Sequence, residues 1–182
     1  MKHALVVGGT GMLADVTRWL VKNGYHVSII ARNPERMNHL LKKVRSKDDV
    51  TPLFVDYTNA NELQELIKYT ITKNGRLDMV VAWIHSSAVD ALPIIVAEAS
   101  NQKHEWDLFH VLGSSSKLEK IKREIILPPT CLYYQVQLGF ILEGAQSRWL
   151  TNEEISEGVI EAIKKKQNVL TIGQIEPLEQ RP

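Results

Sequence analysis

Small residues stand where a phosphate could be held. The run Gly8-Gly9-Thr10-Gly11-Met12-Leu13-Ala14 contains Gly-x-x-Gly-x-x-Ala at positions 8, 11 and 14, directly after the apolar run Ala4 to Val7. In that order the chemistry suits a diphosphate. The first small residue permits a tight turn, the second lets backbone amides approach a pyrophosphate at the positive end of a helix, and the third lets that helix pack close to the strand. The pattern is weak in isolation; after a buried strand and at the opening of a helix it points to a dinucleotide. A glycine turn kept for packing alone is the plainer alternative. No Lys-Ser or Lys-Thr pair follows the last glycine, so a nucleoside triphosphate loop does not fit.

The residue at the end of the second strand, about 20 positions beyond the glycines, reads the adenosine ribose. Here it is Arg32. A carboxylate would accept from the ribose hydroxyls and repel a 2′-phosphate, whereas a guanidinium offers that phosphate a planar pair of donors. NADP is therefore expected over NAD, with Asn33 and Arg36 beside Arg32 completing the contacts. Lys42, Lys43, Arg45 and Lys47 read as a solvated face.

Elements of regular period must position these groups. Tyr25 to Ala31, Val50 to Val55, Leu77 to Trp83, Trp106 to Leu112, Cys131 to Leu138 and Val169 to Ile172 follow Ala4 to Val7 as apolar strands. Helical spacing lies between them: Leu13, Val16 and Leu20; Met37, Leu40, Leu41 and Val44 behind an Asn33-Pro34 start; Leu63, Leu66, Ile67 and Ile71; Val89 to Ser100, with Pro93 in its first turn or at a kink; Leu118, Ile121 and Ile125; and Ile155, Val159, Ala162 and Ile163 behind a Thr151/Glu154 capping box. Strands separated by helix-length segments cannot be hairpins. The expected fold is a three-layer, doubly wound parallel α/β sheet of about seven strands, a Rossmann fold, with residues 1–182 as a single domain.

Composition narrows the partners. Apolar residues make up 44% and charged residues 24% of 182, and 22 Lys and Arg against 21 Asp and Glu leave a formal charge of +1. That balance lacks the basic footprint a nucleic acid requires. A lone cysteine, Cys131, fits a reducing compartment, and no apolar run has the length of a signal peptide core or a membrane span, so a cytoplasmic location is expected. The histidines show no metal-ligand spacing, and no metal is expected. A homo-oligomer is compatible with the sequence.

In this order the motifs resemble the short-chain dehydrogenase/reductase superfamily. Asp56-Tyr57-Thr58 resembles the family's adenine-contacting segment, which implies that Asp56 accepts from the adenine amino group and Tyr57 offers its amide. Leu77 to Val81 resembles the strand that normally ends in Asn-Asn-Ala-Gly; here the tetrad is Ala82-Trp83-Ile84-His85, with Trp83 placed to wall the nicotinamide pocket. Ser114, Ser115 and Ser116 stand where the family places its catalytic serine. Leu138-Gly139-Phe140-Ile141 resembles the segment that meets the nicotinamide carboxamide, implying contacts from Gly139 and Phe140, and Trp149 to Glu154 resembles the opening of the last main helix.

The family's Tyr and Lys, four residues apart on the helix after the fifth strand, are not matched, because no tyrosine lies between Gly113 and Thr130. Tyr69 and Lys73 have the spacing but precede the fourth strand, away from the strand ends where ligands gather. Ser114 or Ser115 could polarise a carbonyl, and His85 could donate a proton near neutrality; helix-cap and packing roles are the plainer readings for each. The expectation is an NADP(H)-binding oxidoreductase of a small carbonyl or conjugated compound. The alternative is a non-catalytic NADP-binding redox sensor or regulator, which the missing pair favours.

Overall fold

The computed structural model describes residues 1–101 and 103–182. In chain order the first half holds β1 (Lys2–Val7), α1 (Ala14–Lys22), β2 (Tyr25–Ala31), α2 (Pro34–Lys43), β3 (Val50–Phe54), α3 (Ala60–Asn74) and β4 (Met79–Trp83). The second half holds α4 (Ala91–Ser100), β5 (Trp106–Leu112), α5 (Leu118–Glu124), β6 (Cys131–Leu138), β7 (Phe140–Glu143), β8 (Gln146–Trp149), α6 (Asn152–Lys165) and β9 (Val169–Ile172).

Seven strands form one sheet in the order β3-β2-β1-β4-β5-β6-β9, and every pair in it is parallel. Strand side chains alternate faces, which explains why the strands read as continuous apolar runs. Ala4 and Val6 join Val16, Leu20, Met37 and Val159 in the core beneath α1, α2 and α6. Leu5 and Val7 point the other way, into a second core with Leu63, Ile67 and Ile95 of α3 and α4. This is the doubly wound Rossmann architecture expected. Strand order reverses between β1 and β4, which opens a crevice outside their carboxyl ends. Among the described residues no helix is long and apolar enough to cross a membrane.

Small differences separate expectation from structure. The third strand ends at Phe54 instead of Val55, the fourth starts at Met79 instead of Leu77, and α4 starts at Ala91 instead of Val89, with Pro93 in its first turn. The larger difference is the antiparallel hairpin β7-β8, where no strand was expected. Gly144, at φ 64°, makes the tight reversal that a two-residue connection demands. Arg148 on β8 then ties the hairpin to α6. Its guanidinium donates to Glu143 at 2.8 Å and to Glu154 at 2.7 and 3.3 Å. Those bonds, with the Thr151 amide, hold the Glu154 carboxyl down at about 2, and the Thr151/Glu154 capping box is formed. The hairpin thereby fixes where the first turn of α6 sits.

Buried imidazoles make the fold sensitive to acid. His110 Nδ1 lies 2.8 Å from the Tyr133 hydroxyl, and burial lowers its pKa from 6.5 to about 4. Burial lowers His3 and His26 as well. The unfolded chain therefore binds more protons than the folded one between pH 6.5 and 4. Stability is complete above pH 6.5 and falls as pH drops through this window, by roughly 3 kcal/mol for His110 at its lower end. Urea unfolding at pH 7 and pH 4.5 should show this loss, and His110→Gln should reduce it; an unchanged pH dependence in that variant would contradict the assignment.

Candidate functional site

The glycine turn sits in the crevice between β1 and β4. Gly8 adopts φ 92°, a left-handed conformation natural to glycine, and its carbonyl accepts from the amides of Gly11 at 3.4 Å and Leu13 at 3.3 Å. Leu13 forms the N-cap of α1 without any side-chain cap bond. Among the described residues the amides of Thr10 and Met12 donate to no protein group. A close approach of helix to strand occurs at Gly9, and Ala14 also packs against the core. A Cβ on Gly9 would lie 2.9 Å from Thr17 Oγ1, 3.0 Å from Val6 Cγ1 and 3.1 Å from Ile29 Cγ2. At Gly11 the corresponding space is open, the nearest atom being Arg36 Nη1 at 4.0 Å.

A cavity of about 740 Å³ opens over this turn, floored by Gly8, Thr10, Gly11 and Met12. Its far wall is a stripe of α2, Arg36, His39, Leu40 and Lys43, which lie on one helical face at intervals of three and four. Lys43 is solvent-exposed, as a solvated face requires, and it also borders the cavity. Arg18 and Asp15 pair with each other at 3.0 Å on the rim. Arg36 and Lys43 have no carboxylate within ion-pair reach among the described residues. The α6 residues Asn152, Glu153 and Ser156 close the remaining side, and Ser156 Oγ donates to the Met12 carbonyl at 2.8 Å. Sequence reasoning missed these three; the capping box marked the end of α6 but not its direction.

Arg32 lines the cavity and also meets Asp56 at 3.4 Å, with both side chains largely exposed. Asp56 is not among the lining residues. Its carboxylate accepts from the Thr58 amide at 3.0 Å and the Thr58 hydroxyl at 2.7 Å. Those bonds, ahead of Arg32, lower its pKa. The Asn33 side chain is committed to capping α2, accepting from the amides of Glu35 and Arg36. Tyr57 reaches the cavity, and its hydroxyl accepts from the His85 amide at 3.0 Å.

Beyond Met12 and Trp83, which border both spaces, lies a smaller cavity of about 310 Å³. Ser114 and Ser115 line it, with Gly113, Gly139, Trp149 and Leu150. His85 lines neither space; its ring contacts the Ser87 hydroxyl at 2.8 Å. Leu13, Ala82 and Phe140 are fully buried and line neither space. Tyr69 and Lys73 stand on α3 and contact each other.

Residues 2–89 match the family model of the short chain dehydrogenases. The first part of the chain is similar to the short-chain dehydrogenase/reductase family. Peroxisomal 2,4-dienoyl-CoA reductase SPS19 of Saccharomyces cerevisiae is 27% identical over 143 residues, 73% of this chain and 49% of that protein. An uncharacterized oxidoreductase of Staphylococcus aureus is 32% identical over 107 residues, 58% of this chain and 43% of that protein. The chain spans about half the length of the curated relatives it matches. Solved structures share the fold over nearly the whole chain. The short-chain dehydrogenase/reductase of Serratia marcescens superposes with TM-score 0.72 at 16% identity over 94% of this chain and 96% of that one. YwfH, an NADPH dependent reductase involved in bacilysin biosynthesis, superposes with TM-score 0.73 at 15% identity over 95% and 99%.

The close approach at Gly9 is testable without a ligand. Gly9→Ala should cost about 1–3 kcal/mol through overpacking, read as a lower midpoint of urea unfolding, whereas Gly11→Ala, facing open space, should unfold near the wild-type midpoint.

Proposed function

We propose that the chain binds NADP(H) in the larger cavity, as a single dinucleotide-binding domain, and reduces a small carbonyl or conjugated substrate in the smaller one. One observation supports this above all: the undonated amides of the glycine turn and the unpaired cations of α2 face each other across one cavity. A diphosphate and a separate phosphate are the groups such a pair of walls suits. The NADPH dependence of YwfH, and the NADPH in the structure of actinorhodin polyketide ketoreductase, agree with the choice of cofactor. Oxidoreductase activity is the activity named for its sequence relatives.

The chain's own residues divide the work. The amides of Thr10 and Met12, at the positive end of α1, hold the diphosphate, and the Gly11 and Leu13 amides keep the turn in shape through the Gly8 carbonyl. Arg32 and Arg36, with Lys43 behind them, hold the 2′-phosphate, and the backbone at Asn33, Asp56 and Tyr57 borders the adenine. Trp83, Met12 and Gly139 shape the passage to the smaller cavity, with Ala82 and Phe140 buried behind them. There the Ser114 and Ser115 hydroxyls donate to the substrate oxygen as charge develops on it. When bound, the cofactor supplies the hydride. Solvent at the open mouth supplies the proton, since His85 borders neither cavity.

Tryptophan fluorescence titration is the direct test, because Trp83 borders both cavities. NADPH should bind more tightly than NADH. Arg32→Ala and Arg36→Ala should each weaken NADPH by about tenfold, the size of one lost charge-assisted bond, and NADH far less. Equal affinity for the two coenzymes, or none for either, would remove the proposal. Steady NADPH consumption with aldehydes, ketones, quinones or enones supports the reductase; tight binding without turnover supports a sensor instead.

A further inference from the structure

The serine turn of the smaller cavity has little to hold it internally. One backbone bond, Ser116 N–H to the Gly113 carbonyl at 3.2 Å, closes it. The helix that follows, α5, buries no side chain and so anchors it weakly. Two side chains from distant elements make up the difference. From within the sheet, the buried Gln137 amide of β6 points its Nε2 at the carbonyls of Gly113 and Ser114, both at 3.4 Å, and of Ser116 at 3.2 Å. From outside, Arg181 Nη2 donates to the Ser114 carbonyl at 3.4 Å.

Arg181 reaches that point because the segment after β9 folds back over the carboxyl end of β6. Gly173, at φ 72°, turns the chain. Gln174 then exchanges two backbone bonds with Phe140, at 2.8 and 2.9 Å. The approach is so close that a Cβ on Gly139 would lie 2.3 Å from the Gln174 carbonyl oxygen. Gln174 Nε2 donates to the Glu176 carbonyl at 2.7 Å, and the Arg181 amide donates to the Leu178 carbonyl at 3.2 Å, so the path between is also bonded. At its end the Arg181 guanidinium meets no carboxylate among the described residues, and its Nε is buried without a partner. Burying an unpaired guanidinium nitrogen costs stability.

We propose that residues 173–182 form a strap that positions the serine turn, with Arg181 as the positioning residue. The proposal deepens the reductase reading and rests on it for its functional meaning: two hydroxyls that must face a reacting oxygen need a backbone held to within about half an ångström. Arg181 touches neither cavity wall except through Ser114, so it acts on the site through the turn.

Amide hydrogen exchange on the full chain, read by NMR, tests the strap whether or not the substrate is known. Arg181→Ala should speed exchange at Ser116 by about tenfold or more while leaving β1, β4 and Leu13 at wild-type rates. Arg181→Lys, which keeps one donor within reach, should restore most of the protection. Gln174→Pro removes the amide that anchors the strap to Phe140 and should reproduce the loosening with Arg181 intact. Unchanged exchange at Ser116 in both Arg181→Ala and Gln174→Pro, or a rise spread evenly through the chain, overturns the proposal. NADPH titration of the same variants separates the two readings. Wild-type affinity in Arg181→Ala, with a lower kcat and unchanged KM for NADPH on any substrate that turns over, is the result expected of a positioning residue. Failure of the unmodified chain to bind NADPH would sink the reductase reading while leaving the exchange result to judge the strap.

Discussion

Everything in the site depends on how closely α1 approaches β1. At Gly9 the helix and strand are separated by less than a methyl group would need, with Thr17, Val6 and Ile29 already in place around the missing Cβ. That contact sets the direction in which α1 points. Its uncapped amino terminus consequently faces the crevice where strand order reverses, and the amides of Thr10 and Met12 are left for something other than protein.

Around that fixed point the charges are arranged by periodicity. Arg36, His39 and Lys43 follow one another along α2 at intervals of three and four, with the buried Leu40 at the base of the same stripe and Met37 turned into the core. Arg32 is less committed than its position suggests, since it spends part of its time budget of contacts on Asp56, which is itself bonded to Thr58. An exposed pair of this kind contributes little to stability, so its guanidinium is readily given up to a stronger anion. The third wall comes from α6, whose Ser156 grips the glycine turn and whose first turn is placed by the Arg148, Glu143 and Glu154 cluster. The site is therefore assembled from both ends of the chain.

Most of the fold was legible in the sequence for a simple reason. A strand buried on both faces must be apolar throughout, and a helix covering it must be apolar on one side, so the two periods alternate visibly from Ala4 to Ile172. Hairpin β7-β8 escaped because its strands are short and one of its faces carries Arg148 and Glu143, which break the pattern. The site was legible in part. Gly8 and Gly11 announce themselves by spacing, as does Arg32 by its place at a strand end. Ser114 and Ser115 share a cavity with Trp83, whereas His85 stands apart from both walls.

The sequence by itself determined the layers, the strand count of the main sheet and the glycine turn between β1 and α1, because these follow from local period and from residues that only a tight turn requires. Tertiary structure alone decided which small residue takes the closest packing, that Lys43 and Ser156 belong to the cavity, and that residues 173–182 return to Ser114. Those facts depend on distances between segments up to 144 positions apart, and no local pattern records where a distant segment will come to rest.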